Sequence, residues 1–308
     1  MGLLFQNWTI GSAVTLVLFI AFWVLINELS RKSLRASIGL FVVLPIVLAI
    51  LVALGYLGSP TGKTWFGWVK IVSALIGVYG FMVIRFTKYG NTKFAAYFPV
   101  TILSLNIAEA IYREFQVFAT YKTLTIDASG VTILGGYWNI LNGIAGILTI
   151  LTLTGFVGIT VSKDKYKDMV WPDMTWLYIW GYTLWNFAYV YNCISKRALY
   201  AGFAILASAL ISEYVFKKGV WLQHRAQILS LYAMFSLSLD YQTHTVFQTV
   251  PVMKEGAWGA VSIVSFTFNI LVFGYLVYTM ITKKKNPYKE EILVDTKYYK
   301  ETLVANNL

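Results

Sequence analysis

Nine stretches of about 20 mainly apolar residues, separated by short polar connections, run through this 308-residue chain. A helical residue rises about 1.5 Å and the hydrocarbon core of a bilayer is about 30 Å thick, so each stretch is long enough to cross it. The sequence therefore predicts an all-α transmembrane bundle over residues 1–282, followed by a basic and polar cytoplasmic tail over residues 283–308. The predicted spans are Thr9–Asn27, Ala36–Leu57, Trp65–Phe86, Ala96–Val117, Tyr137–Val161, Pro172–Asn192, Ala198–Phe216, Arg225–Phe247 and Trp258–Ile281.

Composition supports a membrane protein and argues against a nucleic-acid-binding one. Charged residues make up 13% of the chain, whereas about a quarter is usual in a soluble domain. The net charge of +11 comes from short basic runs between apolar segments, which is the pattern of the positive-inside bias. The first apolar stretch is longer than the core of a signal peptide and lacks a basic flank before it, so we interpret it as a retained helix.

The distribution of basic residues predicts the orientation of the bundle. Of the 25 Lys and Arg residues, 18 fall in one set of alternate connections and in the tail, and 7 fall in the other set. Basic connections stay in the cytoplasm. The N-terminus is therefore predicted outside and the C-terminus inside. The longest outer connection, residues 118–136, is predicted to be a loop with room for a short hairpin.

Ionisable residues within a span are costly, so each one is a candidate site residue. Asn106, Glu109 and Arg113 share one face of the predicted fourth helix. Asp240 and His244 are four residues apart in the predicted eighth helix, and Gln248 would extend their stripe. These residues are equally compatible with structural ion pairs between helices.

The predicted sixth helix presents aromatic and amide side chains at spacings of three and four. Such a face suits either the packing of helices or one wall of a ligand site. Asn186 of this face lies at a height similar to that of Glu109 and Asp240, and Asn142 of the fifth helix lies slightly shallower. The sequence therefore predicts a polar pocket in the outer half of the bundle. The residues of this face are Tyr178, Tyr182, Trp185, Asn186, Tyr189 and Asn192.

Several common chemistries have no support in the sequence. There is no phosphate-binding glycine loop and no zinc-binding His pair, and the single cysteine, Cys193, excludes a disulfide within the chain. His224 is expected to be structural. No lysine lies in the middle of a predicted span. Lys70 falls within the third predicted span, but near its outer end. We therefore expect no metal, no other cofactor and no nucleic-acid partner.

Four stretches resemble a bacterial multi-pass membrane-protein family that carries only an unknown-function label. They are Trp171–Trp176, Trp185–Asn192, Trp221–Ala226 and Asp240–His244. The resemblance implies a protein of the bacterial inner membrane, and it supplies neither an activity nor site roles.

Three functions stay open at this stage. The first is a transporter or channel-like permease for a small solute or ion, with Glu109, Asp240 and His244 as proton- or ion-linked groups. The second is an intramembrane enzyme acting on a lipid or isoprenoid, with Arg113 holding a phosphate. The third is a membrane sensor or a subunit of a complex. Membrane lipid and a small solute or ion are the expected partners, and the sequence does not indicate an oligomeric state.

Overall fold

A computed structural model describes residues 2–63, 65–127, 130–241, 244–247 and 249–308 of the chain. The structure is dominated by helices, as predicted. They are α1 (Ile10–Lys32), α2 (Leu34–Ile38), α3 (Leu44–Ala53), α4 (Trp65–Phe86), α5 (Lys93–Thr120), α6 (Tyr137–Leu151), α7 (Trp176–Cys193), α8 (Ile205–Ile211), α9 (Trp221–Ser238), α10 (Glu255–Lys283) and α11 (Lys297–Ala305).

Three segments with the wider turns of a π-helix adjoin these helices. A π-helical segment, Gly39–Val43, joins α2 to α3. Two others, Ala198–Ala204 and Ser212–Phe216, flank α8. Short 3-10 turns lie at Pro60–Lys63, Lys88–Asn91, Phe156–Gly158, Ser195–Arg197 and Thr245–Phe247.

Three short antiparallel strand pairs close loops between helices. β1 (Phe5–Gln6) pairs with β6 (Val250–Pro251), with Phe5 opposite Pro251. β2 (Thr125–Ile126) and β3 (Thr132–Ile133) form a hairpin within the loop predicted over residues 118–136. β4 (Thr160–Val161) pairs with β5 (Met169–Val170).

The helices identify the chain as a membrane protein. Each of the nine predicted segments overlaps helical structure, and in the described part of the chain six are long and apolar enough to cross a membrane. α6, with 15 residues, is apolar but shorter. The six helices are Ile10–Lys32, Leu34–Ala53, Gly67–Phe86, Lys93–Thr120, Ser195–Phe216 and Glu255–Lys283.

The ends of three predicted spans were wrong. The fifth helix ends at Leu151 rather than Val161, and the sixth begins at Trp176 rather than Pro172. The eighth runs over Trp221–Ser238 rather than Arg225–Phe247. The chain leaves α9 at the extended residue Leu239, and the buried hydroxyl of Tyr241 then turns back to within 2.6 Å of the Tyr232 hydroxyl.

The segment after α10, predicted to be a basic and polar tail, folds against the bundle. Ile292 and Leu293 are buried, and so are Tyr298 and Tyr299 of α11. Thr296 caps α11 by accepting a hydrogen bond from the Tyr299 N–H. Apolar and aromatic side chains spaced along this polar segment therefore anchor it.

The helices pack into two hydrophobic cores. The larger core gathers side chains of α5, α6, α7 and α10, including Trp138 and Trp258, whose rings stack at 5.4 Å. The smaller core gathers side chains of α1, α4, α8 and α9 around Trp23. Gly146 lets α6 approach α5 closely, since a Cβ atom at Gly146 would lie 2.6 Å from the Ile111 side chain of α5.

Candidate functional site

A cavity of about 470 Å³ lies between the two hydrophobic cores. Its walls come from α4, α5, α7, α8 with its preceding π-helical segment, α9 and the loop between α5 and α6. Along α7 the lining extends from Tyr182 to Cys193, a rise of about 17 Å at 1.5 Å per residue. The charged lining residues are Lys70, Arg113, Asp127, Arg197 and Arg225.

Arg225 lies at one end of this cavity, in the second turn of α9. Its Nη2 donates a hydrogen bond to Asn186 Oδ1 at 3.0 Å, and its Cζ is 5.9 Å from the centre of the Tyr182 ring. The residue is 4% exposed. Its Nε and Nη1 have no hydrogen-bond acceptor in the described part of the chain. Arg225 is therefore a buried guanidinium that is only partly satisfied by the protein.

Lys70 of α4 and Glu109 of α5 form an ion pair beside the cavity. Lys70 Nζ lies 2.7 Å from Glu109 Oε2. The same Nζ donates to the carbonyl of Asn106 at 3.3 Å, and Asn106 Nδ2 donates to the carbonyl of Ile102. The pair joins two helices, so Glu109 is engaged across the helix interface rather than by Arg113 of its own helix.

Arg113 contacts the loop that follows α5. Its Nη2 lies 2.9 Å from Asp127 Oδ2, and its Nη1 donates to Gln116 Oε1 at 2.8 Å. The guanidinium also stands over the Tyr121 ring at 5.7 Å. Asp127 Oδ1 accepts the N–H of Val131 within the hairpin connection. These bonds tie the β2–β3 hairpin to the cavity wall.

A buried carboxylate, Glu114, stands behind that wall. Its Oε2 accepts hydrogen bonds from Asn139 Nδ2 at 2.6 Å and from Cys193 Sγ at 3.3 Å. Its Oε1 accepts from Asn142 Nδ2 at 2.7 Å and from Asn192 Nδ2 at 3.3 Å. Three helices thus converge on one carboxylate. Cys193 lines the cavity and separates it from Glu114.

The structure places half of the predicted site residues around the cavity. Glu109 is beside it through its ion pair with Lys70. Asn142 and Trp185 lie in the core behind it, where Trp185 Nε1 donates to the carbonyl of Asn142 at 3.2 Å. The residues that line it are Asn106, Arg113, Tyr182, Asn186 and Tyr189.

Asp240 and His244 lie outside this arrangement. α9 ends at Ser238, so the two residues are not neighbours on a helical face, and both are exposed. The prediction of a paired stripe in the eighth helix was therefore wrong, because the apolar pattern continues past the point where the chain turns. Gln248 lies outside the described residues.

Sequence reasoning missed five charged residues at or behind the cavity: Lys70, Glu114, Asp127, Arg197 and Arg225. The three cations were assigned to connections or span ends when basic residues were counted for orientation. Glu114 was overlooked beside Arg113. Its presence within a predicted span, together with asparagines in the next two spans, was the signal that could have identified it.

A second buried polar cluster lies apart from the cavity, where α1, α4 and α9 meet the β4–β5 hairpin. Arg31 pairs with Glu28 at 2.8 Å and with Asp168 at 2.7 Å. Arg85 lies 3.5 Å from Asp168 and donates to three backbone carbonyls. Gln223 Nε2 donates to Asp168 Oδ1 at 2.9 Å. Lys32 also pairs with Glu28, at 3.2 Å, so each carboxylate of the cluster has a cation beside it within the fold.

His224 contacts protein groups through both ring nitrogens. Asn27 Nδ2 lies 2.8 Å from its Nδ1, and the carbonyl of Lys217 lies 3.2 Å from its Nε2. In the described part of the chain, no group of three His, Cys, Asp or Glu side chains is placed to hold a metal ion.

The fold and the cavity together define a helical membrane protein with a cavity whose walls carry charged side chains. The chain belongs to the family of unknown function DUF5692, whose model matches residues 6–305. The predicted resemblance to an uncharacterised family is thereby confirmed. No functionally curated protein and no solved structure matches the chain.

Proposed function

We propose that this protein is a transporter or permease for a small solute, and that the cavity is its solute site. The observation that carries the proposal is a cavity of about 470 Å³ with charged walls, inside a bundle with six helices of membrane-spanning length. Charged residues within membrane bundles usually mark substrate or ion pathways. Cavities of this size hold small organic molecules. We further propose nine spans in a bacterial inner membrane, with the N-terminus outside.

The pairing of the carboxylates favours transport over catalysis. If a carboxyl group is to act as the general acid or base of an enzyme, it must be able to reach the substrate. Glu109 is paired with Lys70, and Asp127 is paired with Arg113. Glu114 is enclosed by four donors behind the wall. These contacts suit residues that hold helices and loops around a solute.

Of the three groups predicted to be proton- or ion-linked, only Glu109 lies beside the cavity. We therefore assign the coupling role to the Lys70–Glu109 pair alone. It joins α4 to α5, and both side chains are about one-quarter exposed, at 22% and 28%. A relative movement of the two helices would break this pair and open the wall between them.

A transport experiment with tryptophan substitutions tests this proposal. Ala201 and Ala233 line the cavity, so Ala201→Trp and Ala233→Trp would fill it. Ala13→Trp is the matched control, since Ala13 is exposed on α1. Each protein is reconstituted into vesicles loaded with a mixture of small cellular metabolites. Mass spectrometry then measures which solutes the vesicles retain.

We expect vesicles with the wild-type protein or Ala13→Trp to lose particular solutes faster than protein-free vesicles. The two cavity-filling variants should retain them. Equal retention by wild-type and protein-free vesicles would contradict the proposal, and so would efflux that both cavity-filling variants leave unchanged.

A further inference from the structure

We propose that the cavity binds a small organic anion, whose carboxylate or phosphate group pairs with Arg225. This inference rests on the proposed use of the cavity as a solute site, and it adds the chemical class of the solute. It depends on three features: the charge balance of the walls, the unsatisfied guanidinium, and the tyrosines beside it.

The charge balance of the cavity is positive. Four cationic side chains line it, whereas Asp127 is the only carboxylate among the lining residues in the described part of the chain. Lys70 and Arg113 each have a carboxylate partner, and Arg197 has interactions of its own. Arg225 is therefore the lining cation that has no carboxylate partner among the described residues, and it favours an anionic solute.

Arg225 is the residue with which the anion would pair. A buried charge without a partner is strongly unfavourable, and a guanidinium binds carboxylate or phosphate groups through two parallel hydrogen bonds. Among the described residues, no carboxylate forms an ion pair with Arg225, and its Nε and Nη1 have no acceptor. Among the described residues, Nη2 donates to the neutral amide oxygen of Asn186, which fixes Nη2 and leaves the charge uncompensated.

The size and lining of the cavity indicate an organic anion rather than an inorganic one. A bare phosphate or sulfate ion would fill a small part of about 470 Å³. Tyr182 lies beside the Arg225 guanidinium, and Tyr189 and Tyr232 line the same cavity, so its walls supply aromatic surface for a carbon skeleton. The hydroxyl of Tyr189 is buried and has no partner in the described part of the chain, so it is available for a polar group on the solute.

Matched probes test the class of ligand. Phenylpropionate and phenyl phosphate carry an anionic group on an aromatic body, and phenylpropionamide has the same body as the first without the charge. Inorganic phosphate has the charge without the body. Thermal unfolding of the purified protein in detergent, at probe concentrations up to the millimolar range, reports binding of each probe.

We expect at least one of the two organic anions to raise the unfolding temperature, with little or no effect of phenylpropionamide or inorganic phosphate. Arg225→Gln should weaken binding of that anion at least about tenfold, because it removes a charge-assisted pair. Arg225→Lys should retain part of the affinity. Arg35→Gln is the control, since Arg35 is exposed at the other end of the sequence.

A ligand-free measurement keeps the test independent of the probes chosen. Because the charge of Arg225 is uncompensated, Arg225→Gln without any probe should unfold at the same temperature as the wild type or higher. A lower unfolding temperature would assign Arg225 a structural role and overturn the inference. Stabilisation by the amide equal to that by the acid, stabilisation by inorganic phosphate alone, or no stabilisation by either organic anion would also overturn it.

The outcome is separable from that of the transport proposal. Binding of an organic anion that depends on Arg225, combined with vesicles that retain every solute, would support the ligand class and reject transport. Efflux restricted to neutral or cationic solutes would support transport and reject the ligand class.

Discussion

Asn142 Nδ2 lies 2.7 Å from Glu114 Oε1, and this hydrogen bond joins α6 to α5 where neither side chain is exposed. Asn139 adds a second bond from α6, and Asn192 adds one from α7. A carboxylate that accepts several amide hydrogen bonds can be buried without a cation beside it, because the donors replace the water that it loses. Glu114 therefore fixes the relative positions of three helices, and with them the cavity wall at Cys193.

Replacement of Glu114 by alanine should destabilise the protein by about 2–4 kcal/mol, because several buried donors lose their acceptor together. Glu114→Gln keeps one acceptor oxygen and turns an amide toward the remaining donors, so we expect a smaller loss. Unfolding in detergent, followed by tryptophan fluorescence, measures both. Glu255→Gln, at the first turn of α10, is a control for loss of a carboxylate. An alanine variant with wild-type stability would show that the four hydrogen bonds contribute nothing.

The Lys70–Glu109 ion pair should show measurable coupling in a double-mutant cycle. Lys70→Met leaves Glu109 without its cation in a mostly apolar setting, so the single change should cost more than the further change to Glu109→Gln. We expect a coupling free energy of about 1 kcal/mol, since partial exposure of both groups weakens the attraction.

Lys297 and Glu301 provide the comparison for that cycle. Their charged atoms are 3.8 Å apart on the surface of α11, and Lys297 is largely exposed. Such pairs contribute little in water. Equal coupling in the two cycles would mean that Lys70 and Glu109 are as well solvated as the surface pair, and that the wall between α4 and α5 is open to water.

Hydrophobic length predicted the positions of the nine helical segments, because the physical requirement for a span is local in the sequence. The end of α9 could not be predicted in this way. The segment after Ser238 still carries apolar and aromatic residues among polar ones, and the structure shows that the helix stops before Tyr241 turns back to contact Tyr232. The predicted pairing of Asp240 with His244 required a continuous helix. It was wrong because the helix ends at Ser238.

The cavity was only partly predictable for a related reason. Polar side chains on single helices, such as Asn106 and Asn186, were visible as interruptions of apolar segments. Which helices face each other is decided by packing over long sequence separations, so the meeting of Arg225 with Asn186 was not visible. Counting Arg225 as a residue of a basic connection also assigned it to the membrane surface, although it is buried in α9.

Docking of the C-terminal segment should weaken as the pH rises. Asp173 Oδ1 accepts the N–H groups of Ile292 and Leu293 at 3.2 and 2.8 Å, and the Tyr299 hydroxyl donates to Glu291 Oε1 at 3.1 Å. Burial raises the pKa of Asp173 and of Glu291, and the Asp173 carboxylate adds to the rise at Glu291. A raised carboxyl pKa in the folded state means that stability is fully present below the ordinary pKa and is lost as the pH passes the raised one.

Hydrogen exchange of the backbone amides of α11 measures this dependence. Exchange should become faster from about pH 5 toward neutrality, after correction for the intrinsic rate, because the raised carboxyl groups lose their protons above the ordinary range of about 4. Asp164 acts in the opposite sense: burial raises its pKa, but the hydrogen bonds from Lys217 and from the Tyr166 N–H lower it more. Its contribution is lost only below that range.

Two variants isolate the group responsible for the pH dependence. Glu291→Gln should reduce it and leave the part due to Asp173, whereas Glu290→Gln should leave it unchanged. Exchange in α11 that is slower at neutral pH than at about pH 5 would contradict the assignment.

Tyr79 donates a hydrogen bond to the continuous helix formed by α2, the π-helical segment Gly39–Val43 and α3. Its acceptor, the carbonyl of Phe41 in the π-helical segment, cannot accept an α-helical hydrogen bond from residue 45, because Pro45 has no N–H. The hydroxyl of Tyr79 on α4 donates to this carbonyl at 2.7 Å. The hydrogen bond replaces part of what proline removes, so Tyr79→Phe should destabilise the protein by about 1 kcal/mol. Tyr278→Phe, an exposed tyrosine on α10, should have no effect.

A second substitution tests the cause of that loss. Pro45→Ala restores an N–H at residue 45, and the Phe41 carbonyl would then have a donor within its own helix. In this background Tyr79→Phe should cost clearly less than it does in the wild type, and unfolding in detergent measures both differences. Equal losses in the two backgrounds would show that Tyr79 acts through packing of its ring against α2 and α3. The missing donor at Pro45 would then not be the reason for its effect.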